Sequence, residues 1–189
     1  MAILLSLWLI FFVSHSVIAA TPVKSFFEKN LKMTPPQYRL LFNGVSLLIM
    51  VFILLQLIKT NESTLFERTS YIFGIGCAVI VTGLWLLKLA FRDINLSVFL
   101  GISAAPESFG LVTTGMYAVV RHPLYLGLTV ALLGLFLIVP TIQIAVSVAF
   151  CVLYIIIGIE FKERKLRQIF GAAYDDFAKG KKKFIPFIY

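Results

Sequence analysis

The residues of this chain best suited to chemistry lie in a few short runs. In Arg121-His122-Pro123-Leu124-Tyr125-Leu126-Gly127, a cation, an imidazole and a phenol surround a proline. That proline suits the first turn of a helix, where no backbone donor is lost. The free amides of such a turn make a positive helix end suited to a carboxylate. Gly115-Met116-Tyr117 precedes the run, and Gly127 permits close approach of a ligand or of a neighbouring helix. Glu160 and Glu163 follow the next apolar stretch, while His15, Asn43 and Lys88 lie upstream.

The elements that must position these groups are apolar. The chain has 189 residues, 60% of them hydrophobic, with a mean hydropathy of +0.96. Only 14% are charged, against about 25% in a soluble domain, so a water-soluble fold is excluded. A helix of roughly 20 residues covers the hydrocarbon core of a bilayer, and in lipid every backbone polar group needs an internal partner. Five stretches qualify: Ala2–Ala20, Leu40–Lys59, Ser70–Phe91, Leu124–Val139 and Thr141–Phe161. The expected fold is therefore all-α, one polytopic domain over residues 1–189 with a tail at 162–189. Its last two helices form a hairpin at Pro140. The fourth stretch is short enough to be tilted or partly re-entrant. The first ends in Ala19-Ala20 like a signal peptide, but it lacks a basic leading region and exceeds the usual apolar run of about 7–15 residues. It is read as a span.

Five spans place 15 of the 17 Lys and Arg on one side, leaving Lys59 and Arg68 on the other. By the positive-inside rule the basic side, with the C-terminus, is cytoplasmic, as in a bacterial inner membrane. The net charge of +8 then reflects topology and attraction to anionic membrane lipids rather than nucleic acid, because the basic residues sit at membrane borders. On this topology His15, Asn43, Lys88, His122, Glu160 and Glu163 share one depth. Ionisable residues in a membrane are expensive and point to function. Any one of them alone is equally an interfacial or capping group, and Lys88 reads best as snorkelling. Together they describe a polar pocket opening to the cytoplasm. Cys77 and Cys151 sit inside apolar stretches and read as packing residues.

The run Leu111-Val112-Thr113-Thr114-Gly115-Met116-Tyr117, followed by Arg121-His122-Pro123-Leu124-Tyr125, resembles the signature of the isoprenylcysteine carboxyl methyltransferase superfamily, which includes phospholipid N-methyltransferases. Glu163-Arg164, Leu166, Phe170-Gly171, Tyr174 and Ile185-Pro186 resemble its C-terminal segment. Ser14-His15-Ser16, Val23-Lys24 and Tyr38-Arg39-Leu40 with Asn43 resemble the branch of NnrU proteins and methanethiol S-methyltransferases.

The resemblance implies methyl transfer from S-adenosylmethionine, bound between the histidine–proline segment and the end of the last helix. It implies a cofactor site of Gly115, Tyr117, Arg121, His122, Pro123, Tyr125, Gly127 and Glu163, with His15, His122 and Glu163 as catalytic candidates and no metal. No soluble segment is long enough for a Rossmann domain, in keeping with a cofactor held by the membrane helices. The sequence also departs from the family pattern. Gly158 stands about where an arginine is expected, Lys162-Glu163 where paired glutamates are, Met116 for a proline and Phe177 for a tyrosine. Without that arginine a prenylcysteine carboxylate lacks its cation, which favours a thiol or another small or lipophilic acceptor. The alternatives are carboxyl O-methylation and a non-catalytic membrane protein that keeps the fold.

Overall fold

A computed structural model describes residues 1–59, 64–104 and 110–185. Its elements are α1 (Ala2–Ala19), α2 (Thr21–Asn30), α3 (Pro35–Lys59), α4 (Ser70–Phe91), α5 (Leu96–Leu100), a 3₁₀ turn (Gly115–Ala118), α6 (Pro123–Ile138), α7 (Ile142–Phe170) and α8 (Ala172–Ala178). The fold is all-helical, as expected. The helices α1, α3, α4 and α7 are long and apolar enough to cross a membrane, and α6 is a shorter apolar helix. Only 6–33% of the most apolar stretch of each long helix is buried in the protein. Large side chains such as Leu9, Leu47, Ile58 and Val81 point outward. In water this would be an untenable apolar surface; in lipid it is the ordinary solvent contact of an integral membrane protein.

Several boundaries move from those read by hydropathy, for one reason. Hydropathy measures where lipid begins, whereas a helix continues as long as its backbone bonds do. Pro35 sits in the first turn of α3 and lets it start before Leu40. The α7 helix runs on through Lys162-Glu163-Arg164-Lys165-Leu166-Arg167, all good helix formers, to a glycine with φ +53° at Gly171. At about 1.5 Å per residue α7 is roughly 43 Å long, so its last turns outrun a hydrocarbon core of about 30 Å. The first part of the segment 162–189 is thus helix, and α8 follows.

The described residues divide by contacts into two units. Helices that give most of their surface to lipid make few contacts with one another. The first unit holds α1, α2, α3 and α5. Within it Leu4 and Trp8 of α1 and Ile53 of α3 are buried, and Tyr38 Oη donates to Ile18 O at 2.6 Å. Arg39 Nη1 and Asn43 Nδ2 donate to the carbonyls of Val98 and Leu100, at 2.6 and 2.8 Å. Asn43, expected in a polar pocket, thus satisfies the orphan carbonyls of α5.

The second unit holds α4, α6, α7 and α8. The α4 and α6 helices pack antiparallel along a glycine seam. A Cβ at Gly83 would stand 2.4 Å from Ala131 N, and one at Gly134 would stand 2.7 Å from Ile80 N. Gly76 and Gly127 complete the seam. Glycine lets backbones approach closely where lipid offers no hydrophobic drive to association. Pro140 is the turn between α6 and α7, its carbonyl accepting from Leu65 N at 2.6 Å, and Thr141 caps α7 through Ile144 N. The hairpin at Pro140 is present, although α6 packs most extensively on α4.

The seam makes a prediction with opposite signs at two glycines of one helix. A Cβ at Gly74 meets no atom within 4 Å, so Gly74→Ala is expected to be neutral or to stabilise by up to about 1 kcal/mol through helix propensity. Gly83→Ala forces the helices apart and is expected to cost about 1–3 kcal/mol. Thermal unfolding of the two variants in detergent checks this; equal midpoints would contradict the close approach.

Candidate functional site

The site is built where the segment before α6 meets the end of α7, within the second unit. Residues 120–122 pair in parallel with the chain beyond α8: Arg121 N donates to Lys182 O at 3.0 Å and His122 N to Lys183 O at 3.1 Å. Phe184 is buried against Ile155 and Ile159 of α7, with Tyr125 and Leu126 packed on the same cluster. Lys183 Nζ forms an ion pair with Glu160. Backbone pairing on one side and an apolar anchor on the other therefore hold Arg121 and His122. Pro123 then starts α6, and the amides of Tyr125 and Leu126 donate to His122 O, each at 3.2 Å.

Glu163 lies at the centre and is fully buried. Its Oε1 accepts from Tyr174 Oη at 2.5 Å and from His122 Nε2 at 2.9 Å. Its Oε2 accepts from Arg121 Nη1 at 2.6 Å and from Arg167 Nη2 at 3.5 Å. Arg167 Nε also donates to Asp175 at 3.1 Å. One carboxylate thus ties together α7, α8 and the segment leading into α6. A buried charge is tolerated because charge-assisted hydrogen bonds replace its water. Both oxygens accept hydrogen bonds from side chains of the protein itself.

The electrostatics follow from this packing. Burial pulls His122 down from 6.5 to about 4, against the opposing pull of its bond to Glu163. At neutral pH the ring is uncharged. Because Nε2 faces a carboxylate it carries the proton, and Nδ1 is left as the acceptor nitrogen. So weak a base accepts hydrogen bonds at pH 7 rather than protons. Tyr174 is pushed up by burial and by Glu163, and Tyr117 by burial and then by Asp93, so both phenols stay protonated.

The remaining candidates separate. Tyr125 stacks on His122 with ring centroids 5.8 Å apart, beside the site. Gly115 has φ +57°, and a Cβ there would stand 2.0 Å from Asp93 Oδ2. Backbone conformation and close approach both demand glycine at that position. With Leu89, Arg92, Asp93 and Met116 it lines a cleft of about 420 Å³ at the end of α4. Gly127 faces Leu87 and Gly83 across the seam, so of its two readings the structure takes the neighbouring helix and not the ligand. Lys88 is exposed, in keeping with snorkelling. His15 belongs to the first unit, where its Nδ1 lies 3.0 Å from Ser46 Oγ and Phe42 packs on its ring. Pro186, the proline of the C-terminal segment, lies outside the described residues.

Sequence reasoning missed Asp93, which accepts from Thr114 Oγ1 at 3.1 Å, and the pairing of residues 182 and 183 with the Arg-His segment. Neither has a local signal. Arg167 had one, since it stands one helical turn from Glu163.

Both chemistry-bearing runs thus close on a single carboxylate. A family model described as phospholipid methyltransferase matches residues 71–173, more than half of the chain. The chain belongs to the phospholipid methyltransferase family. The match runs from α4 through α7 into α8 and includes the Arg-His-Pro segment and Glu163, so family membership covers the elements that build the site. No curated protein and no solved structure matches the chain.

Proposed function

We propose that this protein transfers a methyl group from S-adenosylmethionine to a thiol or another small, lipophilic acceptor at the cytoplasmic face of the membrane. The supporting observation is the convergence of Arg121, His122 and Tyr174 on the buried Glu163, which rigidifies the start of α6. The basic residues bordering the spans support the cytoplasmic side.

The residues suit the cofactor's chemistry. Arg121 Nε is buried without a partner, a donor for an anionic group. His122 Nδ1 is an acceptor for a cationic N–H, and the rings of Tyr117 and Tyr125 offer apolar faces for a nucleoside. When bound, S-adenosylmethionine supplies a methyl already activated for displacement. The protein's contribution is therefore to orient it, to exclude water and to bring up the nucleophile. A thiol must lose its proton to react. Within the first unit, Ser46 Oγ donates to Phe42 O at 2.8 Å and so accepts from His15 Nδ1–H, which makes Nε2 the basic nitrogen of His15.

A second reading, supported by the family description, makes the acceptor the nitrogen of an aminophospholipid. A prenylcysteine carboxylate is disfavoured, because Gly158 supplies no cation. The test is methyl transfer by the detergent-solubilised protein to a panel of thiols, aminophospholipids and prenylcysteines. Thiols are expected to be fastest. A faster aminophospholipid establishes the second reading, and transfer to none of them under cofactor saturation sinks both.

A further inference from the structure

Lys162, the neighbour of Glu163 on α7, stands outside the ion pairs that Glu163 organises. Arg121 is paired with Glu163, and Arg167 lies between Glu163 and Asp175, so two arginines are balanced by two carboxylates. Lys183 is paired with Glu160. His122 stays neutral at pH 7. Among the described residues no carboxylate pairs with Lys162. Its Nζ lies 5.4 Å from the centroid of the Tyr125 ring, and that ring stacks on His122. One turn earlier on α7, a Cβ at Gly158 would meet no atom within 4 Å, so space is open beside Lys162. The ammonium group thus stands over the first turn of α6 without a carboxylate beside it, at the edge of the Arg121–His122 segment.

We infer that Lys162 is the cofactor-binding cation of this site and pairs with the carboxylate of the amino-acid part of S-adenosylmethionine. The inference rests on the methyltransferase reading and deepens it. A cofactor carboxylate entering a site at the membrane border loses water and requires a charged donor. Arg121 has the geometry for one but has its charge neutralised by Glu163. Lys162 has no carboxylate partner among the described residues, and its flexible stem can leave the face of Tyr125 to reach an oxygen a few ångströms away. The space at Gly158 leaves that movement unobstructed.

The experiment compares two ligands of the detergent-solubilised full chain. S-adenosylhomocysteine carries the carboxylate, whereas 5′-methylthioadenosine keeps the nucleoside thioether and lacks the amino-acid group. Lys162→Met is expected to weaken S-adenosylhomocysteine roughly ten- to hundredfold, the range for a hydrogen bond to a charged group. It should leave methylthioadenosine unchanged, and Lys162→Arg should retain most of the affinity for S-adenosylhomocysteine. Equal losses for both ligands would mean that Lys162 only supports the fold, and the proposal fails. It fails too if Lys162→Met binds S-adenosylhomocysteine like the wild type, including the case where only the acceptor KM rises. Wild-type protein that binds neither nucleoside overturns the S-adenosylmethionine reading itself, and this one with it.

Discussion

Glu163→Ala is expected to cost about 3–5 kcal/mol of stability, the scale for removing one partner of a buried ion pair. Glu163 is fully buried and accepts from four side chains on three segments. Its removal strands the guanidinium of Arg121, whose side chain is only 11% exposed, together with the buried Tyr174 hydroxyl. The loss comes mainly from those stranded donors and not from the missing attraction. Arg121→Met is therefore expected to be far less harmful in the Glu163→Ala background than in the wild type, because the double variant leaves fewer groups unpaired. Equilibrium unfolding of the two single variants and the double variant measures the coupling. Additive losses, or a loss below about 1 kcal/mol for Glu163→Ala, would show that the carboxylate does not hold these segments together.

The second large effect is a loss of stability on mild acidification. His122 titrates near 6.5 when unfolded and at about 4 in the fold, because burial disfavours its charged form. Between those values the unfolded chain binds more protons than the folded one, so stability falls as pH falls. The contribution of neutral His122 is complete above about pH 6.5 and lost by about pH 4, worth on the order of 3 kcal/mol at about 1.4 kcal/mol per unit. The side chain is 3% exposed, so solvent screening does not reduce this effect much. Unfolding midpoints followed from pH 7.5 to pH 4 should decline in the wild type and run flatter in His122→Gln. The same slope in both proteins would assign the titration to other groups.

These two predictions concern contacts with no local trace in the sequence. Arg121 and Glu163 stand 42 residues apart, and Lys182 and Lys183 are further along the chain. The two runs were recognisable as suited to chemistry, and their positions near the ends of apolar stretches put them at one depth. Composition does not say which partner a buried carboxylate takes. That four donors converge on Glu163, and that burial weakens His122 as a base, has no local trace in either run. Gly127 shows the same limit: its small size was legible, but only the helix facing it, α4, decides that a backbone rather than a ligand approaches. Asn43 likewise turned out to serve the carbonyls of α5.

What the sequence determined by itself was the solvent and the architecture. Lipid rewards long apolar runs and forbids unpaired backbone, so hydropathy alone dictates an all-helical chain and roughly where its spans lie. The family signature is legible for a related reason, since Pro123 and the helix it starts form a local structure dictated by neighbouring residues. Tertiary structure decided the rest: how far α7 continues beyond the membrane, the glycine seam of α4 and α6, and the balance of charge around Glu163. That balance depends on which side chains meet across tens of residues. Only the packed chain determines that Arg121 is neutralised and that Lys162 has no carboxylate partner among the described residues.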